Sequence, residues 1–296
     1  MIYTRKILLA LGLITLLNII TTGATSENQE IKVMSFNVRY GTADDGPDHW
    51  DKRKDLLFET IKQFSPDVLG LQEALRSQID QIKQAMPGYT EIGEGRDGGT
   101  KGEYSVILYT KNRFRVEDSG TFWLSDTPEV VSKHWGNAFI RICTWGRFIE
   151  TESQQAFYVF NTHLDNESQP SREKSVRLIA RRIHTRAHPD PVILTGDFNA
   201  AEDNPAIRYL KGTETDGDTV PVSLRDTFRV LHPDEEQVGT FNGFKGTATG
   251  GKIDYIFVTP QLRVLTAAIV RRNRDGHYPS DHFPVTARLR FEDTLK

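Results

Sequence analysis

Six apolar runs in this chain begin or end on a polar side chain that the interior of a sheet does not ordinarily carry without a task for it. PVILTGDFNA breaks off at Gly196 and delivers Asp197 and Asn199, VMSFNVR offers Asn37, DVLGLQE offers Glu73 and FYVFNTHLD offers His163. KIDYIFV brings Asp254, and SDHFPVTARLRF opens on Asp281 and His282. Between these strands the apolar period changes. Trp50, Leu57, Ile61 and Phe64 fall on one stripe and predict a helix over 50–64, closed by Ser65-Pro66. A second short helix spans Ser77 to Met86 and ends at Pro87-Gly88. Val176, Ile179, Ala180 and Ile183 recur at helical spacing among Arg172, Lys174, Arg177, Arg181, Arg182 and Arg186, the pattern of an amphipathic helix with a solvated basic face. A further short helix follows Asn204-Pro205. From Tyr89 to Phe160 the segments YTEIG, YSVILYT, RVEDSGTFWL, FIRICTWGRFI and AFYVFNTHL read as strands with no helix among them, and the end of the chain is strand-rich again.

Strands and helices mixed in this way fit either a doubly wound sheet or two packed sheets flanked by helices. The chain has 296 residues, 38% of them apolar and 26% charged, with no linker, internal repeat or low-complexity tract, which suits one large α/β domain with a full core. Its start differs from the rest. Arg5 and Lys6 precede an apolar stretch from Ile7 to Ile20, followed by Thr22, Gly23 and Ala24. That stretch is short against the roughly 20 residues of a membrane span, so residues 1–24 read as a secretory signal peptide cleaved near Ala24, leaving 25–296 as the exported domain, periplasmic or secreted. Cys143 stands alone and is expected as a buried apolar filler. The formal charge of −3 becomes −5 when Arg5 and Lys6 leave with the signal peptide. A mildly acidic protein argues against long nucleic acid as substrate without excluding it, because a local basic stripe can outweigh the total. Arg271, Arg272 and Arg274, a few residues before Ser280-Asp281-His282, are one such candidate for greeting phosphate.

In chain order, FNVR, LQE, THLD, GDFN, IDYIF and SDH resemble the motif set of the endonuclease/exonuclease/phosphatase superfamily. These metal-dependent phosphoesterases include pancreatic-type deoxyribonucleases, abasic-site endonucleases, neutral sphingomyelinases and inositol phosphate phosphatases. The resemblance runs from about Ile31 to Phe291 and is specific for the superfamily, not for a substrate. It implies an α/β fold, a four-layer α/β sandwich of two packed mixed β-sheets flanked by helices, with the active site where the sheets open at one edge. Periodicity alone does not choose that arrangement.

Phosphoester hydrolysis needs a hydroxide-like nucleophile, neutralisation of the charge growing on the phosphoryl oxygens and help for the leaving oxygen. Glu73 is a hard oxygen ligand suited to Mg²⁺, or to Mn²⁺ or Ca²⁺, with Asn37 beside it and Asp281 to complete the shell. Asp254 can accept the ring N–H of His282 and leave that imidazole as the general base. The resemblance implies that Asp197 and Asn199 orient the attacking water and hydrogen-bond the phosphate. It likewise implies that His163 binds phosphate or protonates the leaving group, and that Arg141 contacts phosphate as substrate-binding residue. Where abasic-site nucleases carry an acid two residues after the first-strand Asn, this chain has Arg39, which favours a one-metal site.

Loops are less informative. Gly41 to Asp51 is rich in turn formers, with Asp44, Asp45 and His49 placed to border a cleft; Glu91 to Ser105 reads as a mobile loop or hairpin beside the site; His134-Trp135 and Phe241 to Phe244 are candidates for shaping a pocket. The expected partner is a phosphorylated small molecule, a phospholipid head group or nucleic acid; no protein partner is implied and a monomer is expected. The leading reading is an exported phosphoesterase acting on a phosphomonoester or phosphodiester. Against it stand an extracellular nuclease, a sphingomyelinase-like phospholipase, for which Thr121 to Leu124 is too short a membrane-facing hairpin, and a phosphate-binding module without turnover.

Overall fold

A computed structural model describes residues 30–214 and 222–292 of the chain; the expected signal peptide lies outside them. The strands are β1 (Glu30–Asn37), β2 (Val68–Gln72), β3 (Tyr89–Ile92), β4 (Ile107–Thr110), β5 (Phe114–Trp123), β6 (Ile142–Glu150), β7 (Ala156–His163), β8 (Val192–Asp197), β9 (Arg225–Asp226), β10 (Asp254–Val258), β11 (Leu262–Ile269) and β12 (Val285–Phe291). The helices are α1 (Trp50–Phe64), α2 (Arg76–Ala85), α3 (Gln169–His184), α4 (Pro205–Leu210) and α5 (Thr227–Leu231), with a 3₁₀ turn at Gly46–Asp48. Two six-stranded mixed sheets result, ordered β11-β12-β1-β2-β4-β3 and β5-β6-β7-β8-β10-β9.

Three apolar layers explain the stacking. Val33, Val68, Ile107, Phe157, Val159, Ile193 and Ile256 meet between the two sheets. Met34, Phe36, Leu69 and Leu71, one step along the same strands and so on the opposite face, pack with Leu57, Ile61, Ile79 and Ile82 of α1 and α2. Tyr158, Phe160, Leu194 and Phe257 pack with Val176, Ile179 and Ile183 of α3 and with Ile207 of α4. The expected four-layer α/β sandwich is the observed fold. The central strands are buried on both faces, which is why VLGLQ and VILTGD run apolar instead of alternating.

One polar patch interrupts the apolar layer between the sheets. Ser35, Gln72, Asn161 and Thr195 are fully buried there. Gln72 Nε2 donates to Asn161 Oδ1 at 2.7 Å and to Ser35 Oγ at 3.1 Å, and Thr195 Oγ1 donates to the same Asn161 oxygen at 2.9 Å. Asn161 Nδ2 answers with bonds to the carbonyls of Leu71 (2.8 Å) and Val106 (2.9 Å). Gly70 leaves room for this contact: a Cβ there would stand 2.7 Å from Asn161 Oδ1.

Candidate active site

Strand register assembles the site. Parallel pairing of β7 with β8 sets His163 opposite Asp197, and antiparallel pairing of β8 with β10 sets Asp254 opposite Asp197, so three of the six motifs form one row across the second sheet. In the first sheet Asn37 ends β1 beside Gln72 of β2, and Glu73 follows immediately. Ser280 Oγ donates to the Asn37 carbonyl at 2.7 Å and ties the Ser280-Asp281-His282 segment to the same edge. Arg39, Glu73 and Asn199 all adopt positive φ, a conformation that non-glycine residues hold only where their surroundings impose it.

The rows meet at Asp197. Asn37 Nδ2 donates to Asp197 Oδ2 and to Glu73 Oε1, each at 3.0 Å, bridging the two carboxylates across the sheets. Asp197 Oδ1 accepts the backbone N–H of Asn199 at 2.9 Å, and Oδ2 lies 3.5 Å from His163 Nε2 and 3.7 Å from His282 Nε2. His282 Nδ1 is 2.9 Å from Asp254 Oδ2, so the ring donates its proton there and turns Nε2 towards Asp197. Asn199 Nδ2 donates to the Leu164 carbonyl and reaches His163 Nε2, both at 3.0 Å. His163 therefore accepts at Nε2 and keeps its proton on Nδ1, a buried atom without a hydrogen-bond partner among the described residues.

Burial and charge push these groups apart. Burial, reinforced by Asp254, raises Asp197 to about 7 against the opposing pull of His282, Asn199 and Asn37. Burial disfavours the His282 imidazolium, but Asp254 and Asp197 outweigh it and hold its pKa well above the usual histidine value. His163 goes the other way: burial, then the positive Arg141 and His282, place it well below that value, so it is neutral. Asp281 is raised by burial and by the Glu73 carboxylate, against His282 and Arg39. Two carboxylates facing one cleft and repelling each other are suited to a hard divalent cation. Asn37 turns its amide nitrogen, not its oxygen, to Glu73, and its Oδ1 accepts the Arg39 N–H, so as it stands it bridges carboxylates. Asp197, Asp254 and His282 also bring one ligand atom each within 4.8 Å of one another. Asp254 and His282 are already hydrogen-bonded to each other at 2.9 Å, a bond that a cation among those three would compete with.

A cleft of about 780 Å³ opens over these groups, lined on its further walls by Arg96, Glu103, Phe139, Arg141, Asn166 and Phe241. All the candidate residues except Asn37 and Asp254 reach its surface; those two stand directly behind Glu73, Asp197 and His282. Arg141 lies one residue before β6, is almost fully buried, and donates from Nη2 to Asn166 Oδ1 at 2.9 Å. The segment around Glu103 forms a tight hairpin, with Arg96 N–H bonded to the Glu103 carbonyl at 2.9 Å. Its five glycines signal such a turn, but nothing in the sequence marks Arg96 and Glu103 themselves. Phe241 reaches the cleft, edge-on to His282 at 5.2 Å, whereas Trp135 packs beside α3. Asp45 grips Arg39 at 2.9 Å, and His49 caps α1 instead of facing the cleft. Arg272 and Arg274 pair with Glu59 of α1 and Arg271 with the Gln237 carbonyl, so the second arginine-rich stretch is a brace for α1 and does not line the cleft.

Comparison with known proteins agrees with this fold. The model of the Endonuclease/Exonuclease/phosphatase family matches residues 34–282. An endonuclease/exonuclease/phosphatase protein from Bacteroides vulgatus superposes with a TM-score of 0.79 at 33% identity, covering 89% of this chain and 99% of that one. A mannosyl-6-phosphatase from Bacteroides thetaiotaomicron gives 0.76 at 32% identity, covering 88% and 100%. Mouse Nocturnin is 24% identical over 314 aligned positions, 92% of this chain and 68% of that protein.

Proposed function

The chain belongs to the endonuclease/exonuclease/phosphatase family, and from that premise we propose that it is a divalent-metal-dependent phosphoesterase acting on a small or medium phosphorylated substrate. The observation that carries this reading is the convergence on Asp197 of both histidines, Asn37 and Asn199, with His282 held by Asp254 at 2.9 Å. Glu73 and Asp281, with Asn37 beside them, would hold a Mg²⁺ ion, or Mn²⁺ or Ca²⁺, which would supply positive charge where the phosphoryl oxygens become more negative. The two carboxylates keep a proton on His282 in the metal-free cleft; the positive charge of a cation held beside it would oppose that proton and free Nε2 to take one from the attacking water as general base. Asp254 fixes the ring and stabilises the imidazolium that results. Asp197 and the Asn199 amide orient the water and bind phosphate oxygens. His163, kept neutral with Nε2 unprotonated, is not a standing acid; the negative charge of an arriving phosphate raises its pKa, and the proton then taken up at Nε2 serves to bond the phosphate or to protonate the leaving oxygen. Arg141, beside it in the cleft wall, adds a guanidinium for the phosphate.

Three observations weigh among the competing readings. Phe122, Trp123 and Leu124 are buried, which removes the candidate membrane hairpin of a sphingomyelinase-like enzyme. The arginines at 271, 272 and 274 are spent on α1 and Gln237, which removes one candidate nucleic-acid stripe. The mannosyl-6-phosphatase likeness supports a phosphomonoesterase. Export rests on the pattern of residues 1–24. The test is hydrolysis of p-nitrophenyl phosphate, its bis ester, plasmid DNA, sphingomyelin and sugar and inositol phosphates with each divalent metal. His282→Ala should lower kcat by about 10²–10⁴-fold without loss of the fold, and Glu73→Ala should demand far more metal for half-maximal rate. Turnover of none of these substrates, or turnover indifferent to both substitutions, would sink the reading.

A further inference from the structure

We propose that Arg96, Glu103 and Phe139 form a hydroxyl-reading subsite, and that the substrate is therefore the phosphate ester of a sugar or similar polyol ring; this rests on the phosphoesterase reading above. The hairpin that carries the first two is built without slack. Gly95 N–H bonds the Gly99 carbonyl at 2.7 Å, and a Cβ on Gly95 would lie 2.7 Å from the carbonyl carbon of Lys101. Gly102 takes φ of +76°, and Trp123 Nε1 pins the Arg96 carbonyl at 2.7 Å. Arg96 and Glu103 thus face each other across the hairpin at the cleft wall, with Arg96 Nη1 donating to Glu103 Oε2 at 2.9 Å. Their side chains are only 16% and 18% exposed, so little water competes for them.

One valence at the cleft wall is unused: Glu103 lines the cleft, and its Oε1 makes no hydrogen bond among the described residues. Arg141 turns its buried Nε to Asp165, 3.7 Å away. The Phe139 ring lies 5.1 Å from the Arg96 guanidinium and 5.6 Å from that of Arg141, holding both planes, yet remains 47% exposed. Phe241, 51% exposed, offers a second apolar ring to the same cleft. A half-buried carboxylate beside guanidinium donors matches neighbouring hydroxyls, each of which donates to the first and accepts from the second. A second phosphate in that position would meet the Glu103 charge, and an acyl chain would leave the free Glu103 oxygen without a polar partner. The exposed rings suit the C–H faces of a sugar, and about 780 Å³ is room for a phosphorylated ring of one or two units.

The experiment compares kcat/KM of the purified protein on hexose and pentose phosphates, p-nitrophenyl phosphate, sugar bisphosphates and 5′-mononucleotides, for wild type, Glu103→Gln and Phe139→Ala. Phe139 is a rim residue, so its variant folds even where the glutamine variant does not, and thermal melting checks both. The expected result is a wild-type preference for one sugar monophosphate, and a ratio of kcat/KM for that sugar phosphate to that for p-nitrophenyl phosphate which falls about 10-fold or more in each variant, mainly through KM. Equal losses on every substrate would make Glu103 a structural group and overturn the proposal. So would a wild type that hydrolyses p-nitrophenyl phosphate but prefers bisphosphates, nucleotides or no sugar at all, and in that case the phosphoesterase reading stands. A wild type inert on everything with every metal overturns both.

Discussion

At the scale of single residues, two buried charges show how the site's surroundings are held. Asp165 follows the motif histidine and accepts the backbone N–H groups of Ala138 (2.9 Å), Glu167 (3.1 Å) and Ser168 (2.8 Å), with Arg141 Nε 3.7 Å away. Burial raises its pKa, but those donors and the guanidinium outweigh it and hold the carboxyl below the usual range. A depressed folded-state pKa contributes stability that is present above the unfolded value of about 3.9 and lost as pH falls through the lower folded value. Asp165→Asn should therefore cost about 1–3 kcal/mol at pH 7 and flatten the acid limb of the stability curve below about pH 4; urea melts from pH 3 to 7 test this, and an unchanged acid limb would show the hydrogen bonds count for nothing. Lys252 is the second case. It is 1% exposed, donates to Asp226 at 2.5 Å, and lies 3.5 Å from the Tyr255 ring centroid and 3.6 Å from Glu202. Removing one partner of a buried pair leaves the other charge uncompensated, so Lys252→Met should cost about 3–5 kcal/mol. Adding Asp226→Asn, which keeps the oxygen that caps Phe228 N–H, should recover much of the loss in the same melt.

At the scale of elements, the polar contact between the sheets explains how two separate rows of residues keep one register. Ser35 and Asn37, Asn161 and His163, and Thr195 and Asp197 are each two residues apart on one strand face, so the Gln72–Asn161–Thr195 network lies one layer beneath the site. Asn161→Leu should leave buried donors and acceptors unpaired, lowering stability by about 2–4 kcal/mol. It should also lower kcat more than Phe241→Ala does, as paired melting and kinetic measurements would read; full activity in Asn161→Leu would separate the network from the site. This layer is also where the sequence stops being informative. The strand ends Asn37, Glu73, His163, Asp197, Asp254, Asp281 and His282 were visible because each breaks an apolar run, and α1 was legible to its bounds from its stripe and Ser65-Pro66. Asn161 and Thr195 sit inside their runs, where a lone polar residue carries no signal of a partner in another sheet. The five-residue α5 and two-residue β9 are too short for a period and exist through packing on β10 and β11. Arg96 and Glu103 are brought to the cleft by a hairpin that the glycines announce without saying what it presents.

At the scale of the whole molecule, the balance of charge bears on the proposed small substrate as against a long polyanion. The chain is acidic overall, and its most arginine-rich helix, α3, packs its apolar stripe against the second sheet while Arg182 pairs with Glu129 and Arg186 with the Ile183 and Asp190 carbonyls. The cleft itself mixes Arg39, Arg96 and Arg141 with Glu73, Glu103, Asp197 and Asp281, so it has no continuous positive track along which a phosphate backbone could lie. An enzyme that neutralises 6–10 phosphates loses about 10³–10⁵-fold in affinity between 50 and 200 mM salt, because each contact releases a counterion. A ligand with one phosphate gripped inside a cleft releases about one, and attraction at that range is only partly screened. Raising salt over that interval should therefore lower kcat/KM by about 4-fold at most with Mg²⁺ saturating. EDTA should abolish turnover while leaving the melting temperature nearly unchanged, since the three apolar layers and the polar contact between the sheets hold the fold without the ion. A steep salt slope would return weight to the nuclease reading, because a short anionic substrate has no means of producing one.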